Sequence, residues 1–183
     1  MTCIVGVEGK GGAWIGCDSF WGDSGIKSGA IDRPKIFALG SCAVGYAGSL
    51  RVPQILEYGA KVRKIRRGED ALSYLVCAIV PALRRALRTN GALGVSRETP
   101  GVDAHEASLL LVLRSEIYTI QGDLAVSRAL EGYAATGAGE PFALGSLAST
   151  KGRKAEDRVR IALEAAAIHS PYVCGPLHVA GPI

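Results

Sequence analysis

Aromatic residues make up only 6% of this 183-residue chain and are not interleaved with its basic ones, which argues against a surface that stacks single-stranded nucleic acid. The net charge of +4 is too small to imply a nucleic-acid partner by itself. No apolar run reaches the length of a membrane span, and the first residues lack the basic and apolar regions of a signal peptide, so a cytoplasmic protein is expected. Three histidines, His105, His169 and His178, have no ligand spacing, and no metal or cofactor is expected. Five cysteines (Cys3, Cys17, Cys42, Cys77 and Cys174) include no C-x-x-C pair and read as reduced, mostly buried thiols. With 48% hydrophobic and 21% charged residues, the chain has the composition of one globular domain spanning 1–183.

What is present is a strand-rich opening followed by paired helices. Thr2–Val7 and Ala13–Cys17 are short apolar runs around Gly9-Lys10-Gly11-Gly12, a hairpin pattern. Asp23, Ser24, Gly25 and Gly29 mark a polar loop. Lys35–Leu39 and Cys42–Ala47 form a second hairpin around Gly40-Ser41. Helical periodicity then runs from Val52 to about Arg67, and from Glu69 or Asp70 to Arg88, with Pro81 expected to kink or locally break the second helix. After a loop from Gly94 to His105, strands return at Ala107–Leu113, Glu116–Ile120 and Tyr133–Thr136. Two further helices are expected over Glu140–Ser149 and Lys154–Ile168, and a last strand from Tyr172 to about Cys174. Strands in hairpins and helices in pairs point to α+β antiparallel sheets covered by helical layers, not βαβ units.

Thr2 is the residue with chemical promise. Once Met1 is removed, which a small threonine in second position permits, one residue carries a hydroxyl nucleophile and a free α-amine. Such an amine titrates near 7.7–8.0 and can serve as base for its own hydroxyl. Asp18, Lys35 and Gly48 each have a plain reading alone: a turn residue, a solvated strand residue, a helix-entry glycine. Their joint order suggests more.

In that order the chain resembles the proteasome-type N-terminal-nucleophile (Ntn) hydrolases, HslV-type peptidases among them. The resemblance covers nearly the whole chain. It is carried by Thr2-Cys3-Ile4-Val5-Gly6-Val7, Ile15-Gly16-Cys17-Asp18-Ser19, Pro34-Lys35-Ile36, Gly45-Tyr46-Ala47-Gly48-Ser49 and Thr136-Gly137-Ala138-Gly139. It implies a four-layer αββα sandwich of two antiparallel sheets that hydrolyses peptide bonds through Thr2. Lys35 would favour the ionised hydroxyl, Asp18 would hold Lys35, and Gly48 would supply an oxyanion-hole amide. It also implies homo-oligomeric rings enclosing the active sites, polypeptide substrates, and an AAA+ ATPase unfoldase as partner. Having Met1 alone ahead of Thr2 resembles the HslV-type arrangement. Specificity would depend on a pocket floor near Gly22, Ala30 and Tyr46.

The chain departs from the pattern at Ala138, where the family carries a serine that helps organise the threonine amine, and Thr136 is two residues away. His169-Ser170-Pro171-Tyr172 replaces the usual aspartate before the last strand, leaving Ser170 as a partial substitute. About one extra residue separates Asp18 from Lys35. Two alternatives follow: a catalytically silent ring or scaffold protein, and a small-molecule amidase using the same nucleophile. The basic stretch Lys61–Arg67 and the cluster Arg84, Arg85, Arg88 read either as solvated helix ends or as a docking surface.

Overall fold

The computed structural model describes residues 1–23, 26–30, 33–95 and 101–183. The chain opens with β1 (Ile4–Gly9) and β2 (Gly12–Cys17), then β3 (Phe20–Asp23) and β4 (Ile26–Ala30), then β5 (Ile36–Leu39) and β6 (Cys42–Gly48). Helix α1 (Arg51–Gly59) follows, then α2 (Ala71–Tyr74), a π-helical segment (Leu75–Ile79) and α3 (Val80–Thr89) as one continuous helical rod. Short strands β7 (Gly94–Val95) and β8 (Asp103–Ala104) precede β9 (Ala107–Leu113), β10 (Glu116–Ile120), β11 (Val126–Arg128) and β12 (Tyr133–Thr136). The chain finishes with α4 (Glu140–Ser149), α5 (Ala155–His169) and β13 (His178–Ala180).

One sheet runs β12-β1-β2-β13 and the other β11-β10-β9-β6-β5, with every pairing antiparallel. Strand periodicity explains how they stack. In β9, Leu109, Leu111 and Leu113 pack with Leu56, Leu75 and Leu83 of the helices that follow β6. Leu110 and Val112, on the other face, meet Ile4 and Ile15 of the first sheet. In β1, Val5 and Val7 turn the opposite way, onto Leu147, Leu163 and Ala166 of α4 and α5. Both faces of each sheet are therefore covered, which is why these strands read as unbroken apolar runs. Each fully buried leucine contributes about 1.5–3 kcal/mol relative to exposure. Three apolar interfaces separate four layers, and the expected αββα sandwich is the observed one.

Several boundaries differ from expectation. Helix α1 stops at Gly59, and Ala60 is extended, so the basic stretch Lys61–Arg67 is not helical. Tertiary contacts hold it extended. Ser41 Oγ accepts the Ile65 amide at 3.0 Å, the Tyr74 hydroxyl donates to the Arg63 carbonyl at 2.6 Å, and Arg63 forms an ion pair with Glu69. The local break expected from Pro81 falls just ahead of it, in the π-helical segment Leu75–Ile79. Lacking an N–H, it cannot bond back four residues; just ahead of it the ladder widens to i→i+5, with the Val80 amide donating to the Leu75 carbonyl. The expected polar loop after Asp18 is instead the β3–β4 hairpin, with Ser24 and Gly25 outside the described residues. The expected loop from Gly94 carries the short β7–β8 pair, and residues 96–100 lie outside the described ones. The last strand is β13, not Tyr172–Cys174; those residues turn, and the Cys174 carbonyl accepts the Ser19 amide at 2.9 Å.

Candidate active site

The start of β1, the end of β2, the start of β5 and the end of β6 converge at one end of the sandwich. Register does this work: Ile4 opposes Cys17, and the Asp18 amide continues the ladder by donating to the Cys3 carbonyl at 3.2 Å. Asp18 therefore emerges beside Thr2. On the second sheet Ile36 opposes Gly45, and the Lys35 carbonyl accepts the Tyr46 amide at 3.3 Å, which fixes the lysine backbone across from the β6 end.

Three predicted residues meet. Lys35 Nζ donates to Thr2 Oγ1 at 2.6 Å and to Asp18 Oδ1 at 2.9 Å. Thr2, Asp18 and Lys35 are all buried, at 2%, 0% and 1% exposure. An ammonium and a carboxylate so far from water need satisfied hydrogen bonds. Asp18 has them: Oδ1 also accepts the Cys3 amide at 3.0 Å, while Oδ2 accepts the Phe20 amide at 2.8 Å and the Cys174 amide at 3.4 Å. The Lys35 amide donates to Cys17 Sγ at 3.3 Å, and burial pushes that thiol up to about 12.

The turn after β12 closes on Thr2 from behind. Gly139 donates its amide to the Thr2 carbonyl at 3.1 Å, and Gly137 sits at φ +99, where a Cβ would come within 2.4 Å of the Thr2 carbonyl oxygen. Ala138 between them has no hydroxyl to offer. Ser170 is buried, and its Oγ accepts the Tyr172 amide at 3.3 Å, a role in the turn after α5. Thr136 is buried opposite Ile4. Met1 precedes this cluster, half-buried, with its amine held below the ordinary range by burial first and by the Lys35 charge second, Asp18 opposing.

Gly48 ends β6 at φ +110, a conformation that a side chain rarely adopts, and a Cβ there would fall 2.4 Å from the Glu106 carbonyl oxygen. A cleft of about 340 Å³ opens over Thr2, lined by Met1, Lys35, Phe20, Gly22, Tyr46 and Gly48 among others. Gly22 and Tyr46 thus stand where the pocket floor was expected; Ala30 does not line this cleft. The amides of Cys3, Phe20 and Cys174, the Cys17 thiol, and Glu106 at the cleft rim were not foreseen. Backbone amides have no signature in residue type. Cys17 alone offered one, as a small side chain next to Asp18.

Two face-to-face antiparallel sheets between helix layers, with Thr2, Lys35 and Asp18 gathered at one end, constitute the proteasome/HslV-like Ntn hydrolase fold. Among solved structures, Thiobacillus denitrificans BPH aligns with a TM-score of 0.81 at 20% identity, covering 98% of this chain and 96% of that one. The same protein in complex with epoxomicin gives 0.81 and 20% over 98% and 97%. Eukaryotic HslV from Trypanosoma brucei aligns at 0.65 and 21% identity, covering 98% of each chain. No protein-family model and no curated protein matches the sequence. Among the described residues no helix is long and apolar enough to cross a membrane.

Proposed function

We propose that the chain, acting as one domain over 1–183, is a threonine endopeptidase whose nucleophile is Thr2 after removal of Met1. The observation that carries this reading is the buried Thr2–Lys35–Asp18 chain beneath an open cleft. The α-amine of Thr2 takes the hydroxyl proton as Oγ1 attacks a peptide carbonyl, while Lys35 stabilises the forming alkoxide and Asp18 holds Lys35. The Gly48 amide receives the oxyanion; a donor in that role typically contributes about 2.7–4 kcal/mol of barrier lowering. The amine passes its proton to the leaving nitrogen, and water then hydrolyses the ester on Thr2, regenerating the hydroxyl. The binding of epoxomicin by the structural neighbour BPH supports a reactive N-terminal nucleophile on this fold.

Assembly belongs to the same proposal. Leu72 and Val76, one helical turn apart on the outer face of the α2–π segment, are about half exposed, and Phe142 and Ile168 lie exposed on the α4 and α5 layer. These apolar faces suit neighbouring copies in a homo-oligomeric ring that encloses the clefts in the cytoplasm. Unfolded polypeptide would be the substrate, delivered by an AAA+ ATPase.

A silent scaffold is the competing reading, and Ala138 favours it by removing a hydroxyl from beside the threonine. Intact-mass analysis with epoxomicin separates the two. An epoxyketone offers two electrophilic carbons, and a hydroxyl with an adjacent free amine can close a ring on both. A chain lacking Met1, carrying one adduct that Thr2→Ala abolishes, supports the peptidase. A free Thr2 that stays unmodified overturns it.

A further inference from the structure

The cleft over Thr2 does not end at Gly48. A second cleft of about 690 Å³, lined by Arg51, Gly94, Ala104 and His105 among others, adjoins it, and the two share Ser49 and Glu106 as lining residues. The backbone of Glu106 is fixed there by two contacts. Its carbonyl accepts the Ser49 amide at 2.8 Å, and the neighbouring pair Gly48–Ala107 closes the β6–β9 ladder. Glu106, an exposed acidic residue, is thus held by its backbone across from Ser49, one residue beyond the glycine assigned to the oxyanion.

Among the described residues, few charges face this junction. Lys35 is matched by Asp18. Arg51 turns its guanidinium to the Asn90 carbonyl at 2.6 Å. The ring nitrogens of His105 are buried. Among the described residues no cation is paired with Glu106, and it is the one acidic residue among those lining the Thr2 cleft. A substrate running from Thr2 into the second cleft must pass this residue. We propose that Glu106 is a specificity-determining residue that selects polypeptide segments with a basic side chain next to the scissile bond.

The inference rests on the peptidase reading for the word scissile, but its test does not need catalysis. Thr2→Ala protein is expected to bind peptides without cleaving them. Fluorescently labelled peptides that differ only in arginine, citrulline (its neutral isostere) or glutamate would be titrated at low salt. The arginine peptide is expected to bind about three- to fivefold more tightly than the citrulline one, the range open to a partly exposed charge pair. Glu106→Gln is expected to erase that difference, and Glu106→Arg to favour the glutamate peptide. Thermal melts of both variants should match the parent, since the side chain is exposed. Equal binding of arginine and citrulline peptides, a preference that survives Glu106→Gln, or no binding of any peptide overturns the proposal. Charge-selective binding alongside an inert Thr2 in the epoxomicin experiment would sink the peptidase and keep the Glu106 site.

Discussion

Lys35 Nζ lies 2.6 Å from Thr2 Oγ1 across 33 residues of sequence, and it is held there by Asp18. Removing the lysine would strand a carboxylate at 0% exposure. Lys35→Met is therefore expected to lower the unfolding free energy by about 3–5 kcal/mol, toward the lower figure because three amides still serve Asp18. Thr2→Ala deletes one hydroxyl and should cost about 1 kcal/mol. Urea titration of both variants tests this, and equal costs would contradict a buried ion pair.

The pH dependence of adduct formation should reflect the terminal amine. Burial and the Lys35 charge already lower the amine of Met1, and an amine on Thr2 would be nearer still to the lysine. A lowered value leaves the neutral, basic form populated at lower pH. The acid limb of the epoxomicin labelling rate should accordingly lie below the ordinary α-amine range of about 7.7–8.0. A limb centred at or above that range would show that the amine is solvated.

Gly48→Ala combines a strained φ with a collision against the Glu106 carbonyl. A stability loss of roughly 1–3 kcal/mol is expected from the backbone term. Labelling of Thr2 should slow by much more than peptide binding weakens, because the proposed oxyanion amide would be displaced. Parallel loss of both would mean that Gly48 only shapes the cleft.

His105 is buried, with neither ring nitrogen bonded among the described residues, and burial lowers its pKa below the ordinary 6.5. The unfolded chain then binds more protons than the native one below about pH 6.5, so stability falls as pH drops through that value and is unaffected above it. His105→Leu should flatten this acid-side slope and leave stability at pH 7.5 equal or higher. Urea midpoints at pH 7.5 and 5.5 for both proteins decide it.

Sheets were legible in the sequence where turn chemistry and apolar runs coincide: β1–β2, β5–β6 and β9–β10 fall close to their expected places. Thr2, Asp18 and Lys35 were legible only through the joint order that resembles the Ntn hydrolases, since each alone has a plain reading; the structure brings their side chains together. What the sequence hid was tertiary. Helix α1 ends early because Ser41 and Tyr74 capture the following backbone, and β13 pairs with β2 from residues far along the chain. Apart from Lys35, the donors to Asp18 are main-chain amides, which residue type does not single out.

Met1 lies at the wall of the cleft above Thr2, so anything joined ahead of it would exit through the space a substrate needs. An affinity tag at that end would plug the pocket and bar the aminopeptidase at once. At the opposite end, Ile183 trades both of its main-chain hydrogen bonds with Ala13 and keeps its side chain partly exposed, which makes it the place to attach a handle.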